Sequence, residues 1–161
     1  MRYLWTEERF PDIGRELDGN IRTEVCVIGG GMAGILCAAR LTECGIDNIL
    51  AEARQVGYGI TKGTTAVLTA QHDLLYSDLA RKYGMKKAGQ YLHANLDALR
   101  RFRSLSEKID CDLESCPSVM YSLTGKDKLK QEAEVLHKLG YPAVYTTSPD
   151  LPFSVTDAVI Y

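Results

Sequence analysis

Four apolar residues, Val25-Cys-Val-Ile28, stand between Glu24 and a run of three glycines. A short β-branched run halted by glycine predicts a buried parallel strand that turns directly into a helix. From Met32 to Cys44 the apolar positions fall at helical spacing, with Ile35, Leu36, Ala39 and Leu41 expected inward and Gly45 expected as a left-handed C-terminal cap. Ile49 to Ala51 predicts a second strand, closed by Glu52. Beyond a loop, residues 74–110 read as helical. Leu92, Leu96, Leu99, Phe102, Leu105 and Ile109 step by three or four and give one apolar face, and Gly84 separates a shorter first helix. Alternation from Val119 to Leu123 predicts a strand. Lys126 to Leu139 predicts a helix with Leu129, Ala133 and Leu136 inward and Gly140 as its stop. A short extended piece opens at Tyr141-Pro142, a loop with two prolines covers 147–153, and Val155 to Tyr161 reads as a last strand. Residues 1 to 20, broken by Pro11, Gly14 and Gly19, read as an extended arm with Trp5 as its anchor.

Strand, helix and strand within residues 21 to 53 make a βαβ unit, so the fold class is α/β with a Rossmann-like first domain. The expected boundaries are a nucleotide-binding domain over 1–110, incomplete, and the first part of an α+β domain over 111–161. Ala158-Val-Ile-Tyr161 is an apolar strand with no polar tail, an edge that whole proteins normally cover. The expectation is therefore an N-terminal fragment or truncated product, prone to self-association.

Composition narrows the possibilities. The 161 residues suit one domain, and 45% hydrophobic residues supply a core. A net charge of -2 offers no general attraction to nucleic acid or acidic membranes. The basic stretch from Arg81 to Arg103 is then a solvated helix face. Val25 to Ala39 is uncharged, but its fifteen residues with four glycines fall short of the ~20 needed to span a bilayer. Five cysteines, an odd number, with Cys26 in a strand and Cys37 and Cys44 in a helix, are no secreted disulfide framework. They read as buried, reduced residues in a cytoplasmic protein. Cys111 and Cys116 lack the two further ligands of a zinc site, and His72, His93 and His137 are scattered, so no metal is expected.

The candidate chemistry lies in the glycines. Gly29, Gly31 and Gly34 spell G-x-G-x-x-G between strand and helix: the first permits the tight turn, the second lets backbone approach a pyrophosphate, and the third lets helix pack on strand. The intervening Gly30, Met32 and Ala33 complete the turn and open the helix, whose unpaired N–H groups and dipole favour phosphate. Glu52 lies eighteen residues past Gly34, where the acid of a dinucleotide site takes the ribose hydroxyls. The loop Gly57-Tyr-Gly-Ile-Thr-Lys-Gly-Thr-Thr-Ala66 follows, and it returns past the carboxyl ends of the strands, where open α/β sheets bind ligands. Gly125-Lys126 lacks the earlier glycine and the following hydroxyl of a P-loop.

Val25 to Gly34, Ala38 to Gly45, the Glu52-Ala53 ending and the Gly57 to Ala66 loop together resemble the FAD-dependent oxidoreductases of the D-amino-acid oxidase and glycine oxidase superfamily. Lys62 to Tyr76, with Ile109 to Glu114, is similar to the branch that usually carries a C-terminal Rieske iron–sulfur domain. The resemblance covers nearly the whole chain and is strongest over 24–76. It implies FAD rather than free NAD. It also implies that Gly29, Gly31 and Gly34 face the pyrophosphate, that Glu52 meets the adenosine ribose, that Arg54 edges the adenine pocket, and that Ala53 between them belongs to the cofactor site. Thr61 would stand near the pyrophosphate, with Gly63, Thr64 and Thr65 toward the isoalloxazine. Relatives run on past residue 161, and the Rieske ligands lie beyond that point.

The expected parent activity is oxidation of an amine or amino acid, a small-molecule substrate, by hydride transfer to flavin. No catalytic acid, base or nucleophile can be named, since neither G-x-S-x-G nor a Ser-His-Asp order is present. The rival is a non-enzymatic remnant that keeps the fold, binds no cofactor and is held by self-association or a partner.

Overall fold

The structure, a computed structural model, describes residues 14–125 and 127–161. The expected anchor Trp5 and most of the N-terminal arm lie outside the described residues. Packing divides the chain into two compact units, the first running to Val67 and the second Leu68–Tyr161.

In the first unit, β1 (Val25–Ile28) leads through the glycine turn into α1 (Met32–Glu43), and β2 (Asn48–Ala51) returns parallel to β1, with Val25 opposite Asn48 and Ile28 opposite Ala51. This is the predicted βαβ order. Gly45 closes α1 at φ +72, as the sequence predicts, and the N–H of Cys44 donates to the Arg40 carbonyl at 3.1 Å. Two expectations need correction. β1 is not buried on both faces: Val25 and Val27 are half-buried while Cys26 and Ile28 are exposed, Ile28 at 87%. A two-stranded sheet with one helix on it has one covered face, so a period of two in burial replaces the continuous burial expected of an inner strand. For the same reason Cys26, Cys37 and Cys44 are exposed free thiols rather than core residues. On α1 the covered stripe runs through Gly34, Ile35, Ala38 and Leu41, and Ala39 lies one residue outside it.

After a single 3₁₀ turn at Thr61–Gly63, the second unit begins. Its helices are α2 (Leu75–Tyr83) and α3 (Met85–Ser106), separated by Gly84 at φ +83, ψ 158, a conformation open to glycine alone. β3 (Val119–Ser122), α4 (Lys128–Lys138), β4 (Val144–Thr146) and β5 (Asp157–Ile160) follow. The three strands form an antiparallel sheet in the order β3-β5-β4, so the last strand takes the middle. That explains why β5 is the most buried of them, with Ala158 and Val159 fully covered.

α4 lies on this sheet and α2 lies on α4. Their shared core holds Tyr76, Leu92, Leu129, Leu136 and Val159. Each fully buried Leu there contributes on the order of 1.5–3 kcal/mol. The helices of 74–110 thus share a core with the elements that follow them, in the unit that begins at Leu68. Among the described residues no helix is long and apolar enough to cross a membrane.

Candidate functional site

The carboxyl ends of β1 and β2 converge on residues 29–34. Gly29 sits at φ +101, and its N–H donates to the Ala51 carbonyl at 2.8 Å, carrying the strand pairing one step beyond β1. The chain then turns sharply enough that a Cβ on Gly34 would stand 1.9 Å from the Gly29 carbonyl oxygen. Only glycine at position 34 lets α1 begin so close to its strand. Gly30 is buried, and a Cβ there would press on the Glu52 side chain at 3.1 Å and on Val56 at 3.2 Å. A Cβ on Gly31 would stand 3.4 Å from the Thr61 hydroxyl. The turn is a backbone surface whose conformation and close contacts forbid or disfavour side chains.

Two later residues are bonded to it. The N–H of Gly30 donates to Glu52 Oε2 at 2.8 Å, and the N–H of Arg54 donates to Glu52 Oε1 at 2.9 Å. These bonds, the one from Gly30 foremost, hold the Glu52 carboxyl below the usual carboxylate range, so it is ionised at neutral pH. A carboxylate has about four lone-pair positions, so hydroxyl donors can still be accepted there. The second residue is Thr61, whose Oγ1 accepts the Met32 N–H at 2.9 Å and so caps α1 from a loop 29 residues away. The loop is anchored again where the Gly57 N–H meets the Gly30 carbonyl at 2.7 Å.

The first four N–H groups of a helix have no partner within it. In α1, Met32 donates to Thr61 and Ile35 to the Gly31 carbonyl at 2.9 Å, while Ala33 and Gly34 have no acceptor among the described residues. Bare backbone, two unpaired N–H groups at a helix N-terminus and an ionised carboxylate on the neighbouring strand fit a diphosphate joined to a ribose.

Gly29, Gly30, Gly31, Met32, Ala33, Gly34, Glu52 and Thr61 are therefore brought together. Ala53 and Arg54 continue from Glu52, both exposed. Gly63, Thr64 and Thr65 follow Thr61. The Gly63 N–H donates to the Ile60 carbonyl at 2.9 Å, and the Thr64 hydroxyl donates to the Thr61 carbonyl at 3.0 Å, so both serve to shape the loop.

Sequence reasoning missed the bonds that tie Glu52 to the turn, because a carboxylate two residues before Arg54 looks like any strand end. It also missed Glu132. This fully buried carboxylate accepts the N–H groups of Tyr76 at 2.8 Å and Ser77 at 2.7 Å and so caps α2. A signal was present, since Glu132 falls on the inner stripe of Leu129, Ala133 and Leu136. A charge at an inward position requires bonded partners.

Residues 24–152 match the family model described as "FAD dependent oxidoreductase". Among curated relatives, a Bacillus subtilis protein, YhfW, named as a Rieske 2Fe-2S iron-sulfur protein, is 35% identical over 128 residues, which is 77% of this chain and 25% of that protein. The gamma-glutamylputrescine oxidoreductase of Escherichia coli is 30% identical over 99 residues, 60% of this chain and 23% of its own. One component of the anaerobic glycerol-3-phosphate dehydrogenase of Haemophilus influenzae is 28% identical over 116 residues, 72% of this chain and 22% of its own. The chain thus spans about a quarter of the length of the relatives it matches. No solved structure matches it at comparable significance. The matched span runs from the residue before β1, through the glycine turn, Glu52 and Thr61, into the second unit, and the chain belongs to the family of FAD-dependent oxidoreductases, whose cofactor is FAD.

Proposed function

We propose that the first unit holds the adenosine diphosphate half of FAD and that the parent activity is oxidation of an amine or amino acid. One observation carries the reading of the site: Glu52 and Thr61, distant in sequence, both bond to the backbone of the same glycine turn. In this reading the N–H groups of Ala33 and Gly34 receive the pyrophosphate, with Thr61 fixing the helix end beside it. Glu52 accepts the ribose hydroxyls while keeping its bonds to Gly30 and Arg54. Ala53 and Arg54 edge the adenine, and the Gly63 to Thr65 loop lies toward the flavin ring. When bound, FAD supplies the acceptor for two electrons and a hydrogen from the substrate carbon. The chain's own residues bind and orient it. Support for a nitrogen-bearing substrate comes from the relative named for gamma-glutamylputrescine. Five exposed thiols suit a reducing, cytoplasmic setting.

The reading is tested by titrating FAD into the protein and into Glu52→Ala. The substitution should weaken binding by about ten-fold or more, the scale of lost charged hydrogen bonds. Equal affinity would remove Glu52 from the site.

A second reading, a remnant that binds no cofactor and is held by self-association, is favoured by the uncovered face of β1 with Ile28 at 87% exposure. An absorbance spectrum at 450 nm after dialysis against FAD distinguishes the two.

A further inference from the structure

Gly30 is held from three directions by the segment that follows β2. Its N–H donates to Glu52 Oε2 at 2.8 Å, its carbonyl accepts the Gly57 N–H at 2.7 Å, and a Cβ on it would meet the Val56 side chain at 3.2 Å. The first bond fixes the peptide unit before Gly30 and the second fixes the unit after it, because each unit is planar. No cis peptide bond occurs among the described residues, so the N–H and carbonyl of each unit point in opposite directions. With the Gly30 carbonyl turned to Gly57, the Gly31 N–H on the same plane is aimed away from that contact. It has no acceptor among the described residues.

The local sequence explains how Gly57 makes this bond. The Tyr58 N–H donates to the Gln55 carbonyl at 3.2 Å and closes a four-residue turn, in which the third residue, Gly57, sits at φ +77 while Val56 is not left-handed. That is the type II pattern, which takes glycine or asparagine at the third position and uses only the fourth N–H inside the turn. The Gly57 N–H therefore points out of the turn, and Gly30 receives it. Gly57 is buried, so the bond forms away from competing water.

From this bond and the peptide plane it fixes, we infer that Gly57 is a positioning residue for the cofactor: through the Gly30 carbonyl it sets the Gly31 N–H to receive the diphosphate. A donor whose orientation is set before the ligand arrives adds affinity by avoiding the cost of ordering it. This role rests on the reading of the first unit as the holder of the adenosine diphosphate half of FAD. It divides the work there, with the ribose left to Glu52 and the diphosphate assigned to the turn at 55–58.

Amide NMR titrations of the 161-residue protein with ADP and with adenosine, which lacks the diphosphate, test it. In the parent protein the Gly31 amide should shift with ADP and stay in place with adenosine. Gly57→Ala, which disfavours the left-handed turn, should weaken ADP by about ten-fold or more and adenosine by less than about two-fold. A general loss of structure would weaken both ligands alike. A second measurement needs no variant: before any ligand is added, the Gly57 amide of the parent protein should be protected from hydrogen exchange and show scalar coupling to the Gly30 carbonyl across the bond. Unchanged ADP affinity in Gly57→Ala, equal losses for the two ligands, or an unprotected Gly57 amide in the free protein would each overturn the role of Gly57 while leaving the Glu52 site standing. A parent protein that binds no ADP would overturn the reading of the first unit, and this role with it.

Discussion

Gly34 has less room than any other residue of the turn, since its Cβ would fall 1.9 Å from the Gly29 carbonyl oxygen. Gly34→Ala must push α1 off its strand, at a cost on the order of 1–3 kcal/mol, and should abolish FAD binding. Gly31→Ala meets the Thr61 hydroxyl only at 3.4 Å and should fold normally. Hydrogen exchange at Val27 and Leu50 reads the difference, and equal protection in both variants would contradict the packing role of Gly34. Glu52 offers a second check. Its carboxyl is held below 4.5 by the Gly30 and Arg54 N–H groups. Its contribution is therefore present above its unfolded pKa and is lost as pH falls through the lower folded value. The Gly30 and Arg54 amide resonances should titrate with a midpoint below 4.5. A midpoint at or above 4.5 would mean these bonds do not form. The glycines and the acid were legible from spacing alone, because strand, turn, helix and strand must occur in that order for the spacing to hold. That Glu52 clamps the turn was not legible. A side chain bonding backbone twenty-two residues away leaves no local trace.

Helix and strand positions followed from periodicity nearly everywhere: β1, α1, β2, the break at Gly84, β3, α4 and β5 all lie within a few residues of their predicted places. What periodicity could not supply is which face of each element is covered. The thiols of β1 and α1 were expected inside because β1 reads as an inner strand, yet inner and edge strands differ only by their neighbours. The packing of α2 also escaped the pattern, because it rests on Glu132. That carboxylate satisfies two N–H groups of α2 in a fully buried position, so Glu132→Ala strands both donors. The expected loss is about 2–4 kcal/mol by urea unfolding, with Glu132→Gln intermediate because one acceptor is retained. An unchanged midpoint in Glu132→Ala would show that α2 is held by its apolar face alone. Beside it, Tyr76 donates its hydroxyl to the Ala70 carbonyl, and burial pushes its pKa up to about 12, so this contact persists through the whole physiological range.

At the scale of the molecule, two compact units divide the work. The first presents backbone and a carboxylate suited to a dinucleotide, and the second supplies the hydrophobic core around Tyr76, Leu92 and Leu136. The first unit is thinly packed, with no fully buried residue on α1 and an uncovered sheet face. Exposed strands with apolar residues pair readily with one another. Sedimentation velocity should accordingly show concentration-dependent oligomers that Ile28→Lys shifts toward monomer, whereas a monomer at all concentrations would contradict self-association through this face. The glycine turn, Glu52 and Thr61 are proposed to form one binding surface for FAD. Amide NMR during a FAD titration tests it most directly. Saturable shifts are expected at Gly29 to Gly34, Glu52 to Arg54 and Thr61, lost together in Glu52→Ala. Shifts confined to the second unit, or none anywhere, would contradict it.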